Sequence, residues 1–465
     1  MRIPVRTLCV LLLAALLLCA FLASCGDVPA EESSLPPSGS ESSAEPTEPS
    51  SGDAVSSPSE SEGETSRTET ADAYRSGPAP ETKPDPNHLK GIRVLGCSFT
   101  SQQGKAAVIG TCDEGVTVKA ETKYGSSEAV SYYGYFALSV DCPETNVIVT
   151  LSEWVDGEKI GKATAEDCRP VRPGSDMWGT FVGKNSQLFL EKAIPEFTGQ
   201  TKLTDKALEN FRKKIADRVE KAKDIGDGCE LIYVIIPSAM TAYPEDVPEE
   251  YAQGEVTRYT QMMDAINAAG ATAIDLRPVF RAARNDELPV YYRTDSHWAE
   301  YGAYLAYVEV FKIIAERFPA AAPRTFDEFD WTESQYQSGD MIYYLAMDCD
   351  KIREREWLRT PKFELTGGLK SFHRYSGTDS LAYGAFTSTA INGATIKTGN
   401  RDLPDVTVFR DSYSAQLMDI VAERCNVSHW PAMWSYTWNL AQLKKDEPDY
   451  VIYFVSEWNA GSLIN

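Results

Sequence analysis

From about residue 174 to the end of the chain, short apolar runs that read as strands alternate with helical periodicities, and this alternation restricts the possible folds more than any other feature. Leu231–Ile236 is an unbroken apolar run closed by Pro237, as expected of a strand covered on both faces. An alanine-rich helical pattern follows over Val256–Ala269, then a short strand over Thr272–Leu276. A further helix is expected from about Trp298 to Phe318, where Tyr301, Tyr304, Leu305, Val308, Phe311, Ile314 and Ala315 recur at helical spacing. Val406–Phe409 and Tyr450–Val455 complete the strands. The pattern predicts a three-layer α/β domain with a mostly parallel sheet over residues 174–465.

Residues 91–173 carry a different pattern. Short alternating segments at Val94–Gly96, Ala106–Gly110, Val116–Ala120, Tyr135–Val140 and Asn146–Leu151, separated by Gly, Asp, Pro and Ser, predict a small antiparallel β-sandwich. With its Gly134-Tyr135-Phe136 turn feeding a central strand, this segment resembles a bacterial immunoglobulin-like module, which implies a spacing or orienting role. Cys97, Cys112, Cys142 and Cys168 lie within it, enough for two disulfides in any of three connectivities. A zinc site is the rival reading, but it lacks C-x-x-C spacing and any nearby histidine beyond His88.

Residues 26–90 are dominated by Ser, Glu, Pro, Gly and Thr and hold too little branched apolar surface to offset chain entropy, so a disordered linker is expected. Four basic against fourteen acidic residues give this stretch a net charge of −10, which extends it by self-repulsion. Ahead of it, Arg2 and Arg6 precede the apolar run Leu8–Leu22, which ends in Leu22-Ala23-Ser24-Cys25-Gly26. This resembles a bacterial signal peptide with a lipobox. The resemblance implies cleavage before Cys25, lipid on its sulfur and a chain tethered to the outer face of the cytoplasmic membrane. The whole chain carries −23, and no basic footprint for nucleic acid is present.

Chemistry concentrates in two segments. Tyr291–Trp298 contains Asp295 two residues before His297, in a chain with only four histidines. Val406–Ser414 reads as a buried strand running into Asp411-Ser412, with helical pattern resuming at Gln416–Val421. A serine at such a strand-to-helix turn lies beside the free N–H groups of a helix start. Together they suggest a hydrolytic apparatus with Ser412 as nucleophile, His297 as base and Asp295 as orienter. The plainer alternative makes Asp411-Ser412 a helix N-cap and Thr294, Asp295 and Ser296 caps for the helix near Trp298. Arg293 and Arg410 flank the motifs and, with Tyr413, are candidate substrate contacts. Trp430, Trp434 and Trp438 recur every four residues, a stripe that on a helix would either enter the core or stack on sugar rings. His373 and His429 have no metal-ligand spacing, and no metal or other cofactor is expected.

Several segments also resemble one family. Trp178–Leu190, Ile235–Ser238 with Tyr243-Pro244-Glu245, Ile274–Pro278, the Thr294–Trp298 motif with Tyr301-Gly302-Ala303, Ser338–Met341, Arg410–Tyr413 and Pro448–Ile452 are similar to the DHHW family, related to the SGNH-like domains of alginate O-acetyltransferases. The resemblance implies an SGNH-hydrolase-like three-layer α/β/α domain with Asp295, His297 and Ser412 as triad. It further implies an acetyl-serine intermediate, a polysaccharide acceptor and a polytopic membrane acyltransferase as acetyl donor. The family often has Glu-Arg near its C-terminus, whereas this chain has Glu457-Trp458. The other function class open at this point is a non-catalytic glycan-binding or exopolysaccharide-assembly lipoprotein of the same fold. Glycoside hydrolysis lacks a recognisable pair of acids.

Overall fold

The computed structural model describes residues 73–85, 87–160, 168–173, 178–337, 339–365 and 393–464. The signal peptide with Cys25, the linker up to residue 72, Ser338 and His373 lie outside the described residues.

The architecture is mixed α/β. Its largest sheet has six strands in the order Thr272–Ile274 (β11), Glu230–Ile236 (β10), Tyr450–Ser456 (β17), Asp405–Arg410 (β15), Val427–Trp430 (β16) and Ala394–Lys397 (β14). All neighbours are parallel except β14, which pairs antiparallel with β16 at one edge. The register places Val408 beside Ile452 and Ile452 beside Ile232, so the apolar runs of three strands stack across the sheet.

Side-chain alternation feeds both faces. Ile232, Val234, Val408, Ile452 and Phe454 pack with Tyr304, Tyr307, Phe311 and Ile314 of the helix Glu300–Arg317. Leu231, Tyr233, Ile235, Val451, Tyr453 and Val455 pack on the other side with Phe211 and Ile215 of helix α1 (Asp205–Ala222) and Met262 and Ile266 of α2 (Arg258–Ala268). Helix starts are fixed locally: Thr204 caps α1 by accepting from Ala207 N, and Thr257 forms a reciprocal capping box with Thr260 at α2. The helix Glu300–Arg317, α3 below, starts after Ala299 without a side-chain cap, so Thr294, Asp295 and Ser296 do not cap it.

Residues 93–160 form two antiparallel sheets. One joins β1 (Arg93–Phe99), β2 (Lys105–Thr111) and β5 (Tyr135–Asp141); the other joins β3 (Thr117–Thr122), β4 (Gly125–Val130), β6 (Thr150–Val155) and β7 (Glu158–Ile160). Val108 and Leu138 from the first share a core with Val118 and Leu151 from the second. Gly134, at φ +76°, makes the turn into β5 that the Gly-Tyr-Phe motif suggests. The strand expected over 146–151 lies instead at 150–155. Cys97, Cys112, Cys142 and Cys168 are free thiols.

Two expectations need correction. The first sheet does not space the module away from its neighbour: Ala107, Ile109, Tyr135 and Ala137 are buried with Val182, Leu188, Leu190, Met341 and Ile342 in one core. The linker reading also runs too far toward the C-terminus, because residues 73–77 contact the segments around Asp286 and Phe326. Ala73 O accepts from Phe326 N (2.9 Å), Arg75 pairs with Asp286, and Gly77 O accepts from Glu287 N (2.9 Å). Tyr74 supplies an aromatic ring that the Ser/Glu/Pro stretch before it lacks.

Candidate active site

Ser412 sits just past the C-terminal end of a parallel strand, where an open α/β sheet leaves its crevice, and Asp295 and His297 come from the segment that leads into helix α3. Strand β15 ends at Arg410, and Ser412 opens a 3₁₀ turn to Gln416 that leads into helix α5 (Met418–Glu423; α4 is Asp340–Tyr344). Asp411, not Ser412, is the N-cap, and its Oδ1 accepts from Tyr413 N at 3.1 Å. Asp411 Oδ2 accepts from Ser456 N, Ser456 Oγ and Asn459 Nδ2 at 2.8, 2.7 and 3.0 Å, which ties the ends of β15 and β17 together. Ser412 is thus released from capping.

His297 lies against it. His297 Nδ1 is 2.7 Å from Asp295 Oδ1, and His297 Nε2 is 2.9 Å from Ser412 Oγ. An ionised carboxylate only accepts, so Nδ1 carries the proton and bare Nε2 accepts from the serine hydroxyl. Asp295 is held by two further donors, His297 N at 2.8 Å and Tyr336 Oη at 2.7 Å. Burial opposes its negative charge, but the imidazole and these donors outweigh burial and keep its pKa below the ordinary carboxylate range. For His297 burial likewise opposes the charged form, and Asp295, then Asp340 and Asp411, outweigh it and raise the pKa. The imidazole side chain remains 28% exposed, enough to be reached from solvent.

The Tyr291–Trp298 segment is clamped almost residue by residue. Tyr291 Oη donates to Pro237 O (2.6 Å), and Glu354 accepts from Arg293 N (2.8 Å), Thr294 N (3.0 Å) and Thr294 Oγ1 (2.5 Å). Trp298 Nε1 donates to Tyr413 O (2.8 Å) while Tyr413 Oη donates back to Ser296 O, so the two motifs clasp each other. Beneath them the buried Arg359 of β13 (Arg353–Pro361) pairs with Glu300 and with Asp419 (3.1 Å), and donates to Gln416 O (2.6 Å). One guanidinium therefore joins the start of the helix after His297 to the turn after Ser412.

Three expected substrate contacts do not face an open cleft. Arg410 and Tyr413 are 0% and 1% exposed, and the Tyr413 ring packs 4.6 Å from His297 as a wall of the site. Arg293 lies over the Tyr132 ring (4.3 Å) and donates to Gln187 Oε1 (3.1 Å), bridging the β-module to the motif. The tryptophan spacing is not helical. Trp430 is buried at the end of β16, Pro431 follows it, and Trp434 sits at φ +62° with its N–H on Arg410 O (2.9 Å). Pro431 is the residue that argues against a helix there.

Sequence reasoning assigned no role to Tyr336, Asp340, Glu354 or Lys192. Lys192 Nζ lies 3.8 Å from the Trp178 ring centre and 4.8 Å from that of Trp458, and Trp458 packs on Tyr413 (5.5 Å). Burial brings this ammonium down to about 8 against the opposing pull of Asp340 and Asp411. Trp458 stands where the family often has arginine. Asp295, His297 and Asp340 present donor atoms within 4.8 Å of one another, the spacing of a cation site. Both ring nitrogens of His297 are already committed to Asp295 and Ser412, so the cluster fits proton transfer better than metal ligation.

Part of this chain is similar to SGNH hydrolase-like domains. Residues 181–366, which include Asp295 and His297 but not Ser412, match the family model described as the SGNH hydrolase-like domain of the acetyltransferase AlgX. Over part of its length the chain is similar to the alginate O-acetyltransferase group that its motifs resemble. It is 26% identical over 176 residues to a probable alginate O-acetylase AlgJ of Pseudomonas syringae pv. tomato, covering 37% of this chain and 42% of that protein. It is 28% identical over 218 residues to the corresponding protein of Pseudomonas fluorescens, covering 46% and 52%. The chain spans about half the length of the curated relatives it matches. Among solved structures, Bacillus cereus PatB1 aligns with a TM-score of 0.47 and 17% identity over 62% of this chain and 99% of that one. A DHHW family protein from Eubacterium siraeum aligns with a TM-score of 0.42 and 14% identity over 68% and 94%.

Proposed function

We propose that this chain is an extracellular serine-dependent O-acetyltransferase or acetylesterase acting on a cell-surface or secreted polysaccharide. The observation that carries the reading is the unbroken hydrogen-bond relay from Asp295 through His297 to Ser412. Ser412 Oγ attacks the acetyl carbonyl while its proton passes to His297 Nε2. The tetrahedral oxyanion takes the Ser412 N–H, which has no acceptor among the described residues. Collapse expels the donor alkoxide, which His297 protonates, and leaves acetyl-serine. In the second half-reaction His297 deprotonates a sugar hydroxyl or water as it attacks the acetyl carbonyl, the bond to Ser412 Oγ breaks, and His297 returns the proton to Oγ. Asp295 holds the imidazole tautomer and opposes the charge of the imidazolium throughout. The Lys192 ammonium between Trp178 and Trp458 offers a donor for a carbonyl or anionic oxygen of the substrate.

The names of the curated relatives support acetyl transfer to a polysaccharide. Under this reading residues 174–465 are an SGNH-like three-layer α/β/α catalytic domain, and 91–173 an immunoglobulin-like β-sandwich built against it. Residues 1–25 are a lipoprotein signal ending at Cys25, which anchors the protein to the outer face of the cytoplasmic membrane. A polytopic membrane acyltransferase supplies acetyl groups. A fluorophosphonate probe tests the central step: it should label wild type at Ser412 and leave Ser412→Ala and His297→Ala unlabelled. Equal labelling of Ser412→Ala refutes the site.

A further inference from the structure

The D-x-H motif has a carboxylate on each side. Asp295 faces the imidazole directly, while Asp340, the first residue of α4, reaches the same tripeptide from another element. Asp340 Oδ1 accepts from Ser296 N at 2.9 Å and Oδ2 from Ser296 Oγ at 2.6 Å, so both oxygens hold the residue between Asp295 and His297. Its carboxylate lies within 4.8 Å of the donor atoms of both. The approach is so close that Gly339 has no room for a side chain, since a Cβ there would lie 2.0 Å from Asp295 Oδ2. Structural buttressing alone would be served by a neutral hydrogen-bonding side chain. Placing a second anion beside the first is unfavourable unless a cation forms between them.

We infer that Asp340 is a second carboxylate of the catalytic unit, a positioning residue that fixes the Asp295–His297 tripeptide through Ser296 and adds its charge to that of Asp295 in stabilising the imidazolium. The inference rests on the acetyl-serine reading and deepens it. Other groups face the same ring. Asp411 lies before the nucleophile, Tyr413 packs on the imidazole, and Lys192 opposes Asp340 and Asp411 from the segment after β9 (Leu188–Leu190). Burial, then Asp295, raises Asp340 to about 6, which keeps it ionised at neutral pH, and its charge acts to raise His297.

The test is the second-order rate of fluorophosphonate labelling of the purified protein from pH 5 to 9. Ser412 Oγ displaces fluoride from phosphorus and His297 accepts the serine proton, so the acid limb reports the imidazole. Asp340→Asn removes the charge yet can still touch both groups of Ser296, its Oδ1 accepting from Ser296 N and its Nδ2 donating to Ser296 Oγ. It is expected to move the acid limb to lower pH by about one unit and to lower the plateau about tenfold. Ser296→Ala, which keeps the charge but loses one contact, is expected to lower the plateau and leave the limb in place. An Asp340→Asn profile that coincides with wild type, or a limb that moves as far in Ser296→Ala, overturns the inference while the triad stands. No labelling of wild type overturns the acetyl-serine reading itself, and this inference with it.

Discussion

Ser412 is usable as a nucleophile because Asp411 takes over the capping work and Asn459 and Ser456 hold Asp411 in turn. Sequence alone leaves the two residues interchangeable, since Asp and Ser are both good caps and adjacent. Their roles separate only when the end of β17 and the turn after it supply partners from more than forty positions away. The same holds for Asp340 and Gly339. Gly339→Ala is expected to push the Asp295 carboxylate off Nδ1, because its new Cβ would fall 2.0–2.4 Å from three Asp295 atoms. Labelling of Ser412 should fall by at least tenfold, with the circular-dichroism spectrum unchanged. Wild-type labelling would mean that Asp295 can shift without cost. Loss of the Asp295 charge itself, in Asp295→Asn, is expected to lower turnover by about four orders of magnitude, through the wrong imidazole tautomer.

At the scale of elements, the long central strands of the large sheet were legible because both of their faces are covered. Leu231–Ile236 and Tyr450–Val455 are continuous apolar runs because helices lie on each side, and the observed bounds differ from the expected ones by a single residue. The hairpin of β12 (Phe329–Gln337) and β13 was not legible. Its burial pattern mixes exposed and buried polar residues, and the functions of Tyr336, Glu354 and Arg359 appear only through partners 41 to 61 positions away in sequence. Arg359 shows how far this hairpin holds the site together. Arg359→Met would strand Glu300 as a buried carboxylate and leave Asp419 without its guanidinium partner, and chemical denaturation should register a loss of about 3–5 kcal/mol. A loss under about 1 kcal/mol would show that the pair reorganises. The tryptophan stripe was misread for the opposite reason, since spacing of four residues is informative only on a helix, and the chain from Pro431 to Asn439 forms none.

For the whole molecule, the buried acids set a pH dependence. Burial raises Asp340 to about 6, Glu354 to about 7 and Asp419 to about 8, above the 3.8 or 4.5 of the unfolded chain. The folded state therefore binds more protons than the unfolded state between those limits. His297, also raised, acts in the same direction. Stability from these groups is fully present below the unfolded values and is lost as pH rises through the folded ones. The melting temperature should be higher at pH 5.5 than at pH 8.5, and the reverse order in a thermal melt would contradict this burial. The charge of −23 adds self-repulsion at high pH in the same sense. The β-module belongs to this unit, because its first sheet shares a core with Met341 and Ile342 of the helix that Asp340 begins.

The most direct measurement is acetate release from an activated acetate ester by wild type, Ser412→Ala and His297→Ala, each checked for an unchanged fold. The relay from Asp295 through His297 to Ser412 predicts measurable turnover in wild type and its loss in both variants. Undiminished turnover in Ser412→Ala would contradict it.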